Sequence, residues 1–85
     1  MPKFRKKPVV IEAIQWTGNN IEEISNFIGL ACDWQYRGGE KKLVIKTLEG
    51  DMWADQHDWI IKDVEGEFYP CKPNIFDKTY DPIDE

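Results

Sequence analysis

The sequence has few of the residues from which metal sites, disulfide frameworks and catalytic centres are built. Its 85 residues include two cysteines and one histidine. Two thiols are too few for a disulfide scaffold, and a single histidine cannot complete a zinc site with them. The chain also lacks a glycine-rich phosphate loop, a Cys-x-x-Cys pair and a His-Glu-x-x-His helix. We therefore expect a protein that is not an enzyme and that carries no metal or cofactor.

Long apolar runs are also missing. The run Val9–Ile11 is interrupted by Glu12, whereas a signal peptide needs an apolar stretch of about 7 to 15 residues. No segment approaches the roughly 18 apolar residues of a membrane-spanning helix. The sequence therefore predicts a cytosolic, reduced protein with no membrane partner.

What the chain does contain is typical of a compact domain. Hydrophobic residues make up 41% of it and charged residues 32%, with four Trp, four Phe and three Tyr. This composition is too apolar and too aromatic for a disordered chain. We expect one domain over residues 1–85, with a basic leader at 1–8 and a flexible acidic tail at 81–85.

The net charge of −5 is unevenly distributed. Residues 1–42 carry a balance of +2, whereas residues 43–85 carry −7. An acidic half of this size repels the phosphates of duplex DNA, which is excluded as a partner. The acidic excess fits either a solvated surface or a face directed toward a basic partner.

Hydrophobic periodicity predicts an α+β fold: one small antiparallel β-sheet of about five strands, with one short helix packed on one face. Residues 9–16 read as a central strand because they are apolar on both faces except at Glu12 and Gln15. Residues 21–28 form an apolar stripe at helical spacing, with Asn20 as N-cap paired to Glu23 and Gly29 at the C-cap. Further strands are expected at 34–37, 43–48, 52–54, 59–64 and 67–69, and a helical turn at 73–76. The predicted core consists of Val9, Ile11, Ile14, Ile24, Phe27, Ile28, Leu43, Ile45, Trp59, Ile61, Val64, Phe68 and Phe76.

Two blocks of the sequence, Phe4–Trp16 and Asp58–Tyr80, carry a resemblance. They read FRKKPVVIEAIQW and DWIIKDVEGEFYPCKPNIFDKTY, and they resemble a widespread family of small, functionally uncharacterised bacteriophage and prophage proteins. In that family a Pro-Gly-Asp triplet commonly precedes the tryptophan. Here the matching residues are Gln56, His57 and Asp58, so the aspartate alone is retained. The resemblance implies a phage-type genome and a location in the host bacterial cytoplasm, and it supplies no catalytic residues.

The surplus of aromatic side chains indicates a binding surface. Strand alternation turns some rings outward, where they stack on a nucleobase or anchor a protein partner, although the same rings also fill cores. A Cys71–His57 nucleophile pair is conceivable, but an exposed turn histidine and a small buried cysteine are the simpler interpretations. The candidate ligand-binding or partner-binding residues are Lys6, Lys7, Gln15, Trp16, Trp53, His57, Trp59, Tyr69 and Lys72.

These observations leave three functional hypotheses open. The first is a small phage-type interaction protein that binds a host protein such as a defence factor. The second is a protein that sequesters a small nucleotide, including cyclic nucleotides, between its aromatic rings and Lys6 and Lys7. The third is an accessory protein of the virion or its assembly. An exposed edge strand would also favour a homodimer.

Overall fold

A computed structural model describes residues 1–5 and 8–83 of the chain. Lys6 and Lys7, two of the candidate binding residues, lie outside the described residues. So do the last two residues of the predicted flexible tail.

In the described part, six β-strands and two α-helices form an α+β fold, which confirms the predicted class. The predicted turn at 73–76 is a longer helix. Neither helix of this part is long and apolar enough to cross a membrane. The elements are β1 (Glu12–Gln15), α1 (Ile21–Ile28), β2 (Cys32–Arg37), β3 (Glu40–Thr47), β4 (Gly50–Ala54), β5 (Trp59–Lys62), β6 (Phe68–Cys71) and α2 (Pro73–Thr79).

The strands form two antiparallel sheets, not the one five-stranded sheet that the sequence predicted. The first sheet has the order β1-β5-β6 and the second the order β2-β3-β4. The chain changes sheets at the turn Asp55–Asp58, where Trp16 N donates to Asp58 O at 2.9 Å. This contact aligns β5 with β1, so that β5 does not continue the hairpin begun by β4.

The predicted central strand 9–16 is wrong in both length and position. β1 covers only Glu12–Gln15 and lies at the edge of its sheet, paired with β5 alone. Val9 and Val10, whose β-branched side chains suggested a strand, are 46% and 70% exposed. β-propensity reflects how well a residue fits a half-buried pleated surface. Among residues 1–5 and 8–83 no strand pairs with Val9 and Val10 to provide that surface.

The core is shared by both sheets and α1. Trp16 packs on Trp34 with ring centroids 5.0 Å apart, and the indole Nε1 of Trp34 donates to Ser25 Oγ at 2.9 Å. The prediction that Val9 and Val64 belong to the core is wrong, because both are exposed. The buried core residues are Trp16, Ile24, Ile28, Leu43, Ile45, Ala54 and Ile60.

Helix α1 has the predicted bounds, but its start is held differently from the prediction. Asn20 makes no side-chain cap to the helix backbone. Its Nδ2 instead donates to Gln15 O and Glu23 Oε1, both at 2.8 Å. The hydrogen bond to Gln15 O thus connects the start of α1 to the end of β1. Gly29 follows the helix with a φ of 72°, a conformation in which glycine carries no Cβ penalty.

Replacement of Ile24, which is fully buried on α1, tests this core. We expect Ile24→Ala to lower the free energy of unfolding by about 2–5 kcal/mol, because it removes buried carbons and leaves a cavity. Urea denaturation followed by tryptophan fluorescence measures the change. Leu30→Ala is the control, since Leu30 is fully exposed and its truncation should change stability by less than about 0.5 kcal/mol. Equal losses for the two variants would contradict the core described here.

Candidate functional site

The turn Asp55–Asp58 is organised around a buried carboxylate. Asp58 is 2% exposed and is the one buried charged residue in the described part of the chain. Its Oδ2 accepts from Asp55 N at 3.0 Å, and its own backbone N donates to Asp55 O at 3.1 Å. The buried carboxylate therefore links the last residue of the turn to the first by a hydrogen bond.

Lys72 supplies the counter-charge. Its Nζ lies 2.6 Å from Asp55 Oδ2 and 3.1 Å from Asp58 Oδ2. The hydrogen bond from Lys72, followed by its charge, lowers the pKa of Asp55. Hydrogen bonds to Asp55 and then to Asp58 raise the pKa of Lys72. Lys72 therefore stays protonated at neutral pH and is already engaged by two carboxylates.

Side chains on both sides attach this turn to the end of β1. Gln15 Nε2 donates to His57 O at 2.9 Å, and Gln56 Nε2 donates to Thr17 O at 2.7 Å. Gly18 has a φ of 96°, a conformation that glycine adopts most readily, and a Cβ there would displace the Gln56 side chain, whose Nε2 would lie 2.7 Å away. His57 has a φ of 81°, the one positive φ at a non-glycine residue of the described chain. Gln15, which was unusual in an apolar strand, thus has a defined partner.

The two thiols are weak nucleophiles at neutral pH. Burial, and then the charge of Asp58, raises the pKa of Cys71. Burial is also the main cause of the raised pKa of Cys32. Within residues 1–5 and 8–83 no hydrogen bond joins Cys71 to His57, and Cys71 Sγ lies 3.7 Å from the carbonyl oxygen of Lys72. The thiolate, which is the reactive form, is therefore scarce in this setting.

An open aromatic groove lies between α2 and the outer side of the β1-β5-β6 sheet. Trp59 and Phe76 stack in parallel with ring centroids 4.3 Å apart, and Tyr80 follows at 5.1 Å from Phe76. Burial, and then the Tyr80 hydroxyl, raises the pKa of the neighbouring Tyr69 to about 12. The groove has a volume of about 490 Å³, and it is lined by Val9, Val10, Ile11, Ala13, Trp59, Phe76, Asp77, Tyr80, Asp81, Pro82 and Ile83.

The outer side of the β2-β3-β4 sheet presents a second aromatic surface, here named the Trp53 face. Trp53 is 42% exposed, and the guanidinium carbon of Arg37 lies 5.1 Å from its ring centroid. Trp53 pairs in register with Val44, which is fully buried although it lies outside the core cluster. The ring and its neighbours therefore cover Val44 from the outer side. Strand register places nine residues on this face: Asp33, Gln35, Arg37, Glu40, Lys42, Val44, Lys46, Asp51 and Trp53.

The candidate residues do not converge on one site. Gln15, His57, Trp59 and Lys72 lie around the turn or directly beside it, and Tyr69 lies on the same sheet. Trp16 is 4% exposed, in the core. Trp53 belongs to the other sheet.

Sequence reasoning missed the partners that complete the two aromatic surfaces. Arg37 and Val44 were not singled out, although strand alternation places both on the side opposite Leu43 and Ile45. Tyr80 was also missed as a groove residue. No group of three or more His, Cys, Asp or Glu residues able to hold a metal ion occurs in the part of the chain that the structure describes.

Comparison with known proteins found no relative. No protein-family model matches the chain, and neither does any curated protein or any solved structure. The resemblance to small phage proteins therefore stays a prediction.

Removal of the Lys72 ammonium tests the ion pairs of the turn. We expect Lys72→Met to lower the free energy of unfolding by about 1–3 kcal/mol, mainly because the buried Asp58 loses its counter-charge. The exposed contact with Asp55 contributes less, since solvent screens it. Chemical denaturation measures the loss. Lys78→Met, in the last turn of α2, is the matched control and should have a small effect.

The pH dependence of this loss follows from the two pKa shifts. The lowered pKa of Asp55 gives stability that is present above about pH 3.9, the unfolded value, and is lost as the pH falls through the lower folded pKa. The raised pKa of Lys72 gives stability that is present below about pH 10.4 and is lost as the pH rises through the higher folded pKa. The difference in free energy of unfolding between wild type and Lys72→Met should therefore be constant between about pH 5 and 9. It should become smaller below and above this range. A difference that varies within this window would contradict the assignment.

Thiol labelling tests the state of the cysteines. Because both thiols have a raised pKa, the rate of alkylation of the folded chain should reach half its maximum above about pH 8.5, the ordinary value. The chain unfolded in urea should show the ordinary value. Stopped iodoacetamide reactions read by mass spectrometry give both profiles. Rapid alkylation of Cys71 at pH 7 would instead indicate an activated nucleophile.

Proposed function

We propose that this chain is a non-enzymatic, phage-type interaction protein that acts in the host bacterial cytoplasm. In this proposal it binds a host protein, such as a defence factor, through the Trp53 face. The observation that carries the proposal is a half-exposed tryptophan, fixed by an arginine, on the outer side of a three-stranded sheet. The ring covers Val44 and still leaves 42% of its surface open to a partner.

The chemistry of this pair suits a protein partner. Tryptophan and arginine are the residue types most enriched among those that carry binding energy at protein interfaces. The cation–π contact holds both side chains in place before binding, which reduces the entropy lost when a partner immobilises them. Val44 closes the base of the site, so a partner group seated beside the indole meets no water from below.

The charges around the ring also favour a protein over a nucleic acid. Lys46 Nζ lies 3.0 Å from Asp51 Oδ2, and Lys42 Nζ lies 3.1 Å from Glu40 Oε2. The lysines of this face are therefore paired with carboxylates and are not arranged as a basic track for phosphates. A rim of paired polar groups around an aromatic centre is the usual arrangement at protein interfaces.

The geometry of the turn supports the proposed phage origin. In the resembling family the triplet before the tryptophan is Pro-Gly-Asp, whose glycine corresponds to His57 and whose aspartate corresponds to Asp58. His57 has a positive φ, which glycine adopts most readily. Asp58 is the buried residue that closes the turn. The glycine and the aspartate of the family triplet thus match the positive φ at position 57 and the buried carboxylate at position 58.

Nucleotide sequestration receives less support. The rings of Trp59 and Phe76 already stack on each other, Lys72 is engaged by two carboxylates, and Asp77 and Asp81 line the groove. A phosphate would therefore meet acidic groups and no free cation among the described residues of the groove.

The test compares two aromatic truncations on the two edge strands of the β2-β3-β4 sheet. Trp53→Ala removes the ring of the Trp53 face, whereas Tyr36→Ala removes a ring that is 76% exposed and points to the other side of the same sheet. The tagged chain is used to recover a host protein, which is identified and then titrated by calorimetry. We expect Trp53→Ala to weaken binding by about 30-fold, corresponding to about 2 kcal/mol, and Tyr36→Ala by less than about threefold.

Three results would contradict the proposal. One is the absence of any stoichiometric host protein in the recovered material. Another is equal binding by wild type and Trp53→Ala. The third is recovery of the chain in purified virions with a structural protein as its partner, which would favour the virion hypothesis.

A further inference from the structure

The chain exposes more surface than a compact domain of its mass. Its accessible surface is 6857 Å², whereas a folded monomer of 10.0 kDa exposes about 5,200 Å². Its radius of gyration is 14.4 Å, compared with about 12 Å for a compact domain of this length. The excess of roughly 1,600 Å² exceeds the roughly 800 Å² that each partner buries in a standard interface.

The segment before β1, here named the arm, contributes to this surface; the structure describes its residues 1–5 and 8–11. Its described residues are almost all exposed: Met1 and Phe4 are 111% and 94% exposed, and Val10 is 70% exposed. Burial of these apolar side chains is favourable by the hydrophobic effect, so the arm is suited to contact an apolar surface.

The aromatic groove has the properties that the arm needs. It is apolar at its base, where Trp59, Phe76 and Tyr80 are aligned, and Asp77 and Asp81 line it. The arm offers the complementary pattern, since Phe4 lies between Lys3 and Arg5 in the sequence. The arm also begins at this groove, because Val9, Val10 and Ile11 form one of its walls.

We propose that two copies of the chain exchange the beginnings of their arms: residues 9–11 of each copy stay in the wall of its own groove, and its Phe4 and Arg5 lie in the aromatic groove of the other copy. Phe4 packs against the Trp59, Phe76 and Tyr80 rings of the second copy, and Arg5 faces its Asp81. The arrangement is reciprocal about a twofold axis and therefore closes at a dimer. The free edge of β1 lies beside this contact and offers its unpaired backbone groups to the same partner.

This inference does not depend on the proposed function, because the two use different surfaces. The Trp53 face lies on the β2-β3-β4 sheet, whereas the groove lies on the β1-β5-β6 sheet. A loss of host binding in Trp53→Ala and a loss of self-association in an arm variant are therefore separate results.

The first experiment measures the mass of the full chain by sedimentation equilibrium at about 1 to 100 μM, a range that detects a dimer with a Kd of about 1 μM, or −8.2 kcal/mol. We expect a dimer for wild type and for Leu48→Glu, whose side chain is 96% exposed away from the groove. Phe4→Glu should weaken the dimer by at least about 30-fold, the effect of losing one central interface residue. Phe4 is so exposed that its replacement should leave the fold intact, and circular dichroism checks this. A monomeric wild type, or a Phe4→Glu dimer as stable as wild type, would overturn the proposal.

The second experiment distinguishes exchange between copies from an arm that folds back on its own chain. Arg5→Glu and Asp81→Lys each place like charges at both contacts of a homodimer. When the two variants are mixed, a heterodimer restores opposite charges at both contacts. Native mass spectrometry should therefore show weakened homodimers for each variant alone and a dominant heterodimer in the mixture. A mixture with no preference for the heterodimer would overturn arm exchange.

Discussion

The position of one buried carboxylate, Asp58, determines much of how this chain folds. A buried charge is costly unless it is paired and hydrogen-bonded, and here the partners come from Asp55 and Lys72. These contacts bring together the end of β4, the start of β5 and the residue that precedes α2. Pro73 begins α2. Because Lys72 immediately precedes it, the same ion pair holds the start of α2 beside the turn, and Phe76 of α2 stacks on Trp59.

The division into two sheets decides which aromatic rings remain available. Trp16 and Trp34 fill the shared core, and Trp59 is covered on one side by α2. The outer side of the second sheet has no helix on it in the described part of the chain, so Trp53 remains exposed there. The inner sides of both sheets pack against the shared core. Both surfaces suited to binding therefore lie on the outer sides of the sheets.

Local features of the sequence predicted local structure well. The helix at 21–28 and its terminal glycine were predictable from apolar spacing and backbone sterics, and the buried Ile24, Leu43 and Ile45 from periodicity. The two-sheet arrangement was not predictable, because it depends on contacts between residues about forty positions apart, such as Trp16 with Asp58. The outward direction of Trp53 could have been inferred from its alternation with Ala54. Its contact with Arg37 on β2 could not, since it requires the register of three strands.

The misassigned strand at residues 9–16 and the excess surface have one physical explanation. A β-branched segment fits a sheet only where another strand or a packed face receives it. Within residues 1–5 and 8–83 no strand pairs with Val9 and Val10, which line the open groove and remain partly exposed. An arm received by a second copy would supply that missing surface and would add apolar contacts to a domain too small to have much stability in reserve. The same dimer would carry two Trp53 faces on one particle. A partner that is itself multivalent would then be held by avidity, so each face need bind only moderately.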